Sequence, residues 1–214
     1  MRNNFDRQLE LLNRELIGMG ALCEEVISLA AQALTGEDAE LAAKIAAVDS
    51  EIDKAERSIE SMCLRLLLQQ QPVAKDLRVV SAALKMITDM ERIGDQAEDI
   101  AEIIAYLGGR TAEECSQIRE MATHAQKMVT ESVDAYVRQD VSLAAAVLAH
   151  DDIVDDYFDM VKNKLIDMIA KNPADGEYAL DLLMIAKYFE RIGDHATNIA
   201  EWVVFSVTGT HKDM

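Results

Sequence analysis

Acidic side chains recur at helical spacing in four separate stretches of the sequence. Each stretch contains a pair of carboxylates four positions apart, so both members of a pair lie on the same side of an α-helix. Two of the stretches continue with a third residue, Asp99 in one and Asn198 in the other. The candidate ligands are Asp49, Asp53, Glu91, Asp95, Asp99, Asp151, Asp155, Glu190, Asp194 and Asn198. Such stripes present oxygen atoms of the kind that bind metal cations.

Two interpretations of these stripes remain open. Like charges one helical turn apart destabilise a helix by roughly 0.2–0.5 kcal/mol per pair, and a face that serves solubility alone usually interleaves lysine. A bound cation would offset this repulsion, and carboxylates suit Mg²⁺, Mn²⁺, iron or zinc. The alternative is a solvated acidic face without a ligand. Under the first interpretation, each half of the chain binds metal through its two acidic pairs, and the sequence does not identify the metal.

Other residues beside the acidic pairs carry separate expectations. Gly94 and Gly193 lie inside predicted helices, where glycine costs about 1 kcal/mol relative to alanine, so we expect a neighbouring helix or a ligand cluster to approach closely there. Arg92 and Arg191 are expected either to pair with adjacent carboxylates or to recognise a partner. His195 follows Asp194 and is interpreted as a surface residue or, alternatively, as a ligand.

Charge and composition restrict the partners. The 214 residues carry a net charge of −18, which opposes binding to nucleic acids and to anionic lipid surfaces. The three cysteines are widely spaced and are expected to be reduced and partly buried. The unbroken apolar runs are shorter than a membrane-spanning helix requires. We therefore expect a cytoplasmic protein that contacts the membrane only through partner proteins.

The elements that position these residues are six predicted helices of roughly 30 residues each. Breakers separate them near Gly36, Pro72, Gly108, Asp140 and Pro173. The sequence predicts an all-α fold made of two tandemly repeated three-helix bundles packed side by side, with domains at 1–108 and 109–214.

A repeat supports this organisation. Residues 38–53 match residues 140–155 at an offset of 102, and Glu-Arg-Ile-Gly-Asp at 91–95 recurs at 190–194 at an offset of 99. The change of offset falls at the turn between the second and third helices of each half, as expected for a duplicated three-helix unit.

Enzyme signatures are absent from the sequence. It contains no phosphate-binding glycine-rich loop, no nucleophile elbow and no Glu-x-x-His motif of ferritin-like di-iron bundles. We expect no catalytic site. The alternative that the acidic stripes leave open is a carboxylate-bridged metal enzyme or a metal-storage bundle.

The doubled Glu-Arg-Ile-Gly-Asp motif, with His-Ala-Thr-Asn-Ile-Ala-Glu after its second copy, resembles the paired signature of the PhoU family. The resemblance extends over the length of the chain and its six-helix duplication. It implies a negative regulator of phosphate uptake and of the phosphate-starvation response. The regulator would act as a cytoplasmic adaptor between the phosphate ABC transporter, through its ATPase subunit, and a sensor histidine kinase.

The resemblance also implies properties of the site. Some members of the family hold multinuclear iron or zinc clusters on paired acidic motifs, which correspond here to Asp49/Asp53, Glu91/Asp95, Asp151/Asp155 and Glu190/Asp194. Asn198 stands where the first repeat has Asp99, so the two halves need not bind equal numbers of ions. Family members commonly form homodimers.

Overall fold

Six α-helices make up nearly all of the computed structural model, which describes residues 2–35, 39–70, 72 and 74–210. None of these residues forms a β-strand. The helices, in chain order, are α1 (Arg2–Ala33), α2 (Ala39–Gln70), α3 (Lys75–Tyr106), α4 (Ser116–Arg138), α5 (Val141–Lys171) and α6 (Gly176–Thr208). Gly36, one of the predicted breakers, lies outside the described residues.

The ends of the helices follow from local chemistry. Asp140 caps α5, because its carboxylate accepts hydrogen bonds from the backbone amides of Ser142 and Leu143. Gly108 and Gly109 end the α3 segment with φ angles of 62° and 80°, which residues other than glycine rarely adopt. The expectation of equal lengths is wrong for α4, which has 23 residues because Ala112–Cys115 form a separate 3₁₀ turn before it.

Each half of the chain forms a three-helix bundle, as the repeat predicts. The first bundle contains α1, α2 and α3, and the second contains α4, α5 and α6. The halves meet where α3 packs against α6 and α1 packs against α4. The central pair, α3 and α6, runs antiparallel, since Asp89 contacts Asn198 whereas Asp99 contacts Tyr188. As a result, α2 and α5 lie on the outside of the molecule.

The core contains the apolar stripe of every helix. Leu12, Leu16 and Met19 of α1 are almost fully buried, as are Met86 and Met90 of α3. The three cysteines are free and buried, more deeply than the expectation of partly buried residues. Burial raises the pKa of all three thiols, so these cysteines behave as small apolar residues.

One helix departs from the expectation that no segment could span a membrane. In the described part of the chain, Phe5–Ala33 of α1 is long and apolar enough to do so by length and composition. Its apolar residues are instead used in packing, because Leu12, Leu16 and Cys23 are fully buried against the other helices. Buried helices of water-soluble proteins have the same composition, so this segment is weak evidence for a membrane span.

Candidate functional site

The first acidic region lies between α2 and α3. Asp49 of α2 is within electrostatic range of Asp53 on its own helix and of Glu91, Asp95 and Glu98 on α3. We call these five residues the first carboxylate cluster. All five are partly buried rather than fully exposed. The structure therefore brings together the two acidic pairs that the sequence assigned to this half, and adds Glu98 to them.

Gly94 allows α2 to approach α3 at this cluster. A Cβ atom at position 94 would lie 2.5 Å from Oδ1 of Asp49, a separation that real Cβ atoms essentially never show. This Oδ1 atom is buried and accepts no hydrogen bond within the described chain. The close approach that the sequence predicts at this glycine is present, and the approaching group is a carboxylate. An unpartnered buried carboxylate oxygen is a suitable ligand for a cation.

The second carboxylate cluster occupies the equivalent place between α5 and α6. Asp151 is within electrostatic range of Asp155, Glu190 and Asp194, and these four residues define the cluster. The equivalent glycine, Gly193, leaves more room, since a Cβ atom there would be 3.4 Å from Oδ1 of Asp151. The two clusters thus share their architecture but differ in how tightly the helices meet.

Burial and mutual repulsion raise the pKa of the cluster carboxylates. Burial is the larger cause, followed by the neighbouring negative charges, and together they raise the pKa of Asp49 to about 6 and that of Asp151 to about 6. The pKa values of Glu91, Asp155 and Asp194 are also raised, with burial again the first cause. These groups are poorly compensated by the protein's own cations, so each cluster favours either protons or metal ions.

Basic side chains lie at the rim of the clusters. Arg92 pairs with Glu91 at 3.5 Å and with Asp95 at 3.0 Å. These contacts agree with the expectation that Arg92 pairs with adjacent carboxylates. In the second cluster Lys187 Nζ lies 2.5 Å from Glu190. The residue equivalent to Lys187 in the first half, at an offset of 99, is Thr88. An ammonium group therefore lies beside the second cluster where the first half has a neutral residue.

Asp99 and Asn198 have hydrogen bonds elsewhere, in the contact between α3 and α6. Asp99 is hydrogen-bonded to the hydroxyl of Tyr188, and Nδ2 of Asn198 donates to Oδ1 of Asp89 at 3.0 Å. Arg191 lies near Asp99 on this side of α6. The two hydrogen bonds are related by the repeat, since an offset of 99 converts positions 89 and 99 into 188 and 198.

His195 belongs to the same contact. Its Nδ1 atom lies 2.9 Å from Oδ1 of Asp89, and both side chains are only 16% exposed. The structure places this residue between the two halves, so the expectation of a surface histidine is wrong, and the alternative of a metal ligand stays a prediction. Asp89 belongs neither to the repeated motif nor to an acidic stripe, so its role in this contact becomes visible only when α3 packs on α6.

Glu98 was not among the residues predicted from the sequence, although its position on the helix relative to Glu91 indicates that it belongs to the cluster. Glu98 follows Glu91 by seven residues, which places it about 20° from Glu91 around the helix, whereas Asp99 lies about 80° away. Within the described residues, no group of three or more His, Cys, Asp and Glu side chains is already arranged around a single ion position.

The chain was compared with known families, proteins and structures. The PhoU domain family matches residues 16–104 and again 118–203. A protein of Clostridium acetobutylicum, named phosphate-specific transport system accessory protein PhoU homolog, is 35% identical over 215 residues, which cover 100% of this chain and 98% of the relative. A protein of the same name from Pseudomonas aeruginosa is 35% identical and covers 96% of this chain and 86% of the relative.

Solved structures agree with these sequence matches. The crystal structure of PhoU from Pseudomonas aeruginosa has a TM-score of 0.90 and 35% identity, and the match covers 96% of this chain and 100% of that one. The phosphate transport system regulatory protein PhoU from Streptococcus pneumoniae has a TM-score of 0.88 and 30% identity, with 98% and 100% covered. The matches confirm the resemblance and the all-α duplicated fold, and the relatives are named as accessory or regulatory proteins, not as enzymes. The chain is a member of the PhoU family.

Proposed function

We propose that this protein is a negative regulator of phosphate uptake and of the phosphate-starvation response. The observation that carries the proposal is the match of both halves to the PhoU domain, together with full-length similarity to proteins named as accessory to phosphate-specific transport. Both copies of the Glu-Arg-Ile-Gly-Asp segment lie at the centre of the carboxylate clusters, so the residues that carry the resemblance also form the site.

The partners we propose are the ATPase subunit of the phosphate ABC transporter and a sensor histidine kinase. An adaptor between them would work in the cytoplasm and contact the membrane only through these proteins. The net charge of −18 disfavours nucleic acids and anionic lipids as direct partners, which supports protein partners instead. A homodimer is part of this proposal on the strength of the family resemblance alone, since members of the family commonly form homodimers.

We further propose that the two carboxylate clusters bind multinuclear metal ions, with Fe, Zn, Mn and Mg as the candidates. The buried unpartnered Oδ1 atom of Asp49, the close packing at Gly94 and the raised pKa values all fit a cation at the first cluster. Asp99 and Asn198 are left out of the proposed ligand set, because their hydrogen bonds lie in the contact between α3 and α6.

A bound cation would neutralise the repelling carboxylates and offer coordination positions to an anionic group of a partner. The packing of α2 on α3, and of α5 on α6, brings the acidic side chains of each cluster within electrostatic range of one another, so a cation would need only side-chain movements to bind them. Purified protein should take up at least one Fe, Zn, Mn or Mg per chain under saturating conditions. Uptake below one ion per chain would contradict the proposed metal clusters.

The regulatory role is tested in the host organism grown in phosphate-rich medium. Deletion of the gene should raise alkaline phosphatase activity and phosphate uptake, and reintroduction of the wild-type gene should lower both. Unchanged low activity in the deletion strain would contradict the proposed role of this protein as a repressor.

A further inference from the structure

A pair of histidines at the contact between α4 and α5 lies outside the carboxylate clusters. Nδ1 of His124 on α4 is 2.8 Å from Nε2 of His150 on α5. The ring of Tyr157 stacks on His124, with centroids 5.4 Å apart and an angle of 28° between the planes. Both imidazoles are partly buried. Two ring nitrogens at this distance share one proton, with one ring as donor and the other as acceptor.

The first half of the chain shows that the fold does not require histidines there. The offset of 102 aligns α1 with α4 and α2 with α5, and buried positions coincide along both pairs of helices. The equivalents of His124, His150 and Tyr157 are Leu22, Val48 and Ala55. These three residues pack against the core of the first half. An apolar contact in one repeat is therefore replaced by two imidazoles and a phenol in the other.

A carboxylate accompanies the imidazoles. Lys127 and Glu131 of α4 both lie within electrostatic range of His150, and they pair with each other at 3.8 Å. The equivalent of Glu131 in the first half is Leu29, another partly buried residue of the apolar contact. The second half thus places two nitrogen donors and one nearby oxygen donor where the first half has only hydrocarbon.

We propose that His124 and His150 together bind one transition-metal ion of the kind that prefers imidazole, namely Zn²⁺, Ni²⁺ or Cu²⁺. The ligand atoms are Nδ1 of His124 and Nε2 of His150, and water occupies the remaining positions. Imidazole suits these ions, whereas Mg²⁺, Ca²⁺ and Mn²⁺ prefer oxygen, so this site differs in selectivity from the carboxylate clusters.

Binding of the ion requires the two rings to move apart and to turn. Two nitrogens bound to one tetrahedral zinc at about 2.0–2.1 Å each are separated by about 3.3 Å, so the rings must move apart by about 0.5 Å. Each ring must also turn, because nitrogen lone pairs that lie along the hydrogen bond have to converge on an ion beside it. The ring that donates the shared proton carries its N–H on its other nitrogen when the metal is bound. When two neutral imidazoles bind the ion in this way, no net proton is released, because the displaced proton moves to the other nitrogen of the same ring.

The test measures Ni²⁺ binding to the full chain by equilibrium dialysis in excess Mg²⁺, which competes with Ni²⁺ for the oxygen ligands of the carboxylate clusters. The variant His124→Leu/His150→Val carries the residues of the first repeat, so its fold is expected to be retained and is checked by circular dichroism. The matched control His195→Gln removes a different histidine and introduces the residue of its own repeat position, Gln96.

Wild type and His195→Gln should bind one more equivalent of Ni²⁺ than the double variant. In wild type, added Zn²⁺ should shift the ¹⁵N NMR signals of His124 Nδ1 and His150 Nε2, a measurement that does not depend on any variant. Equal Ni²⁺ stoichiometry in wild type and a folded double variant would overturn the proposal, and so would histidine signals that do not respond to Zn²⁺. Neither outcome bears on the regulatory role, since this site is separate from both carboxylate clusters.

Discussion

Asp49 is the residue that shows most clearly how the site is built. Its carboxylate lies against a helix that has no side chain at the contact point, and Gly94 is the reason that it fits. The same carboxylate is surrounded by four others and has a buried oxygen without a hydrogen bond in the described structure. A charge in this environment is unfavourable unless a cation or a proton accompanies it.

Substitution of the two equivalent glycines by alanine should give different results. Alanine relieves a helix of the cost of glycine, about 1 kcal/mol. Gly193→Ala should therefore raise the free energy of unfolding by up to about 1 kcal/mol, since the nearest atom lies at an ordinary contact distance of 3.4 Å. Gly94→Ala should not stabilise the protein, because the new Cβ atom would lie 2.5 Å from Oδ1 of Asp49 and must displace that side chain. Urea unfolding of both variants measures the difference, and equal stabilisation would contradict the close packing at Gly94.

The raised pKa values predict the pH dependence of stability. The folded protein holds protons on Asp49 and Asp151 up to about pH 6, whereas aspartate in an unfolded chain releases them near pH 3.8. Folding therefore gains stability from these groups as the pH falls from above 6 towards 4.

The measurement is the thermal midpoint in the presence of a chelator. Between about pH 7.5 and pH 5, the midpoint of wild type should rise relative to that of Asp49→Asn/Asp151→Asn, which lacks both titrations. Each kcal/mol corresponds to about 2–4 °C for a chain of this size. A wild-type midpoint that stays parallel to that of the variant over this range would contradict the raised pKa values.

At the scale of the helices, much of the structure was predictable from sequence. The helix ends at Asp140 and Gly108 follow from capping and from positive φ angles, which are local effects. The acidic pairs at Glu91/Asp95 and Asp49/Asp53 face each other as their spacing indicates. The interaction of His195 with Asp89 was not predictable, because the two residues are 106 positions apart and meet only when α3 packs on α6.

The contact between α3 and α6 should depend on Asp89. This carboxylate accepts hydrogen bonds from both His195 and Asn198, so Asp89→Ala leaves two donors on α6 without their partner. The expected loss is about 1–3 kcal/mol in the free energy of unfolding, measured with urea.

Asp134→Ala is the matched control for this experiment. Asp134 pairs only with Arg138 among the interactions described, on an exposed face, and its loss should change stability by less than about 0.5 kcal/mol. If Asp89→Ala were as mild as Asp134→Ala, the polar contact between the halves would not contribute to stability as we describe.

At the scale of the whole molecule, the duplication has produced halves that are similar but not equivalent. The first cluster has five partly buried carboxylates, whereas Asp155 and Asp194 of the second are more exposed and Lys187 lies beside Glu190. The sequence predicts the repeat, since the offsets of 102 and 99 are visible in it. The face of α3 that meets α6 depends on how both helices are buried at the same time. The antiparallel contact between the halves could therefore not be predicted from the sequence.

The central claim is that the carboxylate clusters serve the regulation of phosphate uptake. The most direct measurement is alkaline phosphatase activity in phosphate-rich medium, in a strain that lacks the gene and carries one of three versions of it. These are wild type, the cluster variant Glu91→Gln/Asp95→Asn/Glu190→Gln/Asp194→Asn, and a control that changes the four exposed residues Asp6, Glu10, Glu15 and Asp167 to the matching amides.

Both variants lose four negative charges, so the comparison separates the position of the charges from their number. Folding is verified for each by circular dichroism. We expect low activity with wild type and with the control, and activity as high as in the deletion strain with the cluster variant. Full repression by a folded cluster variant would contradict the claim that these carboxylates carry the function.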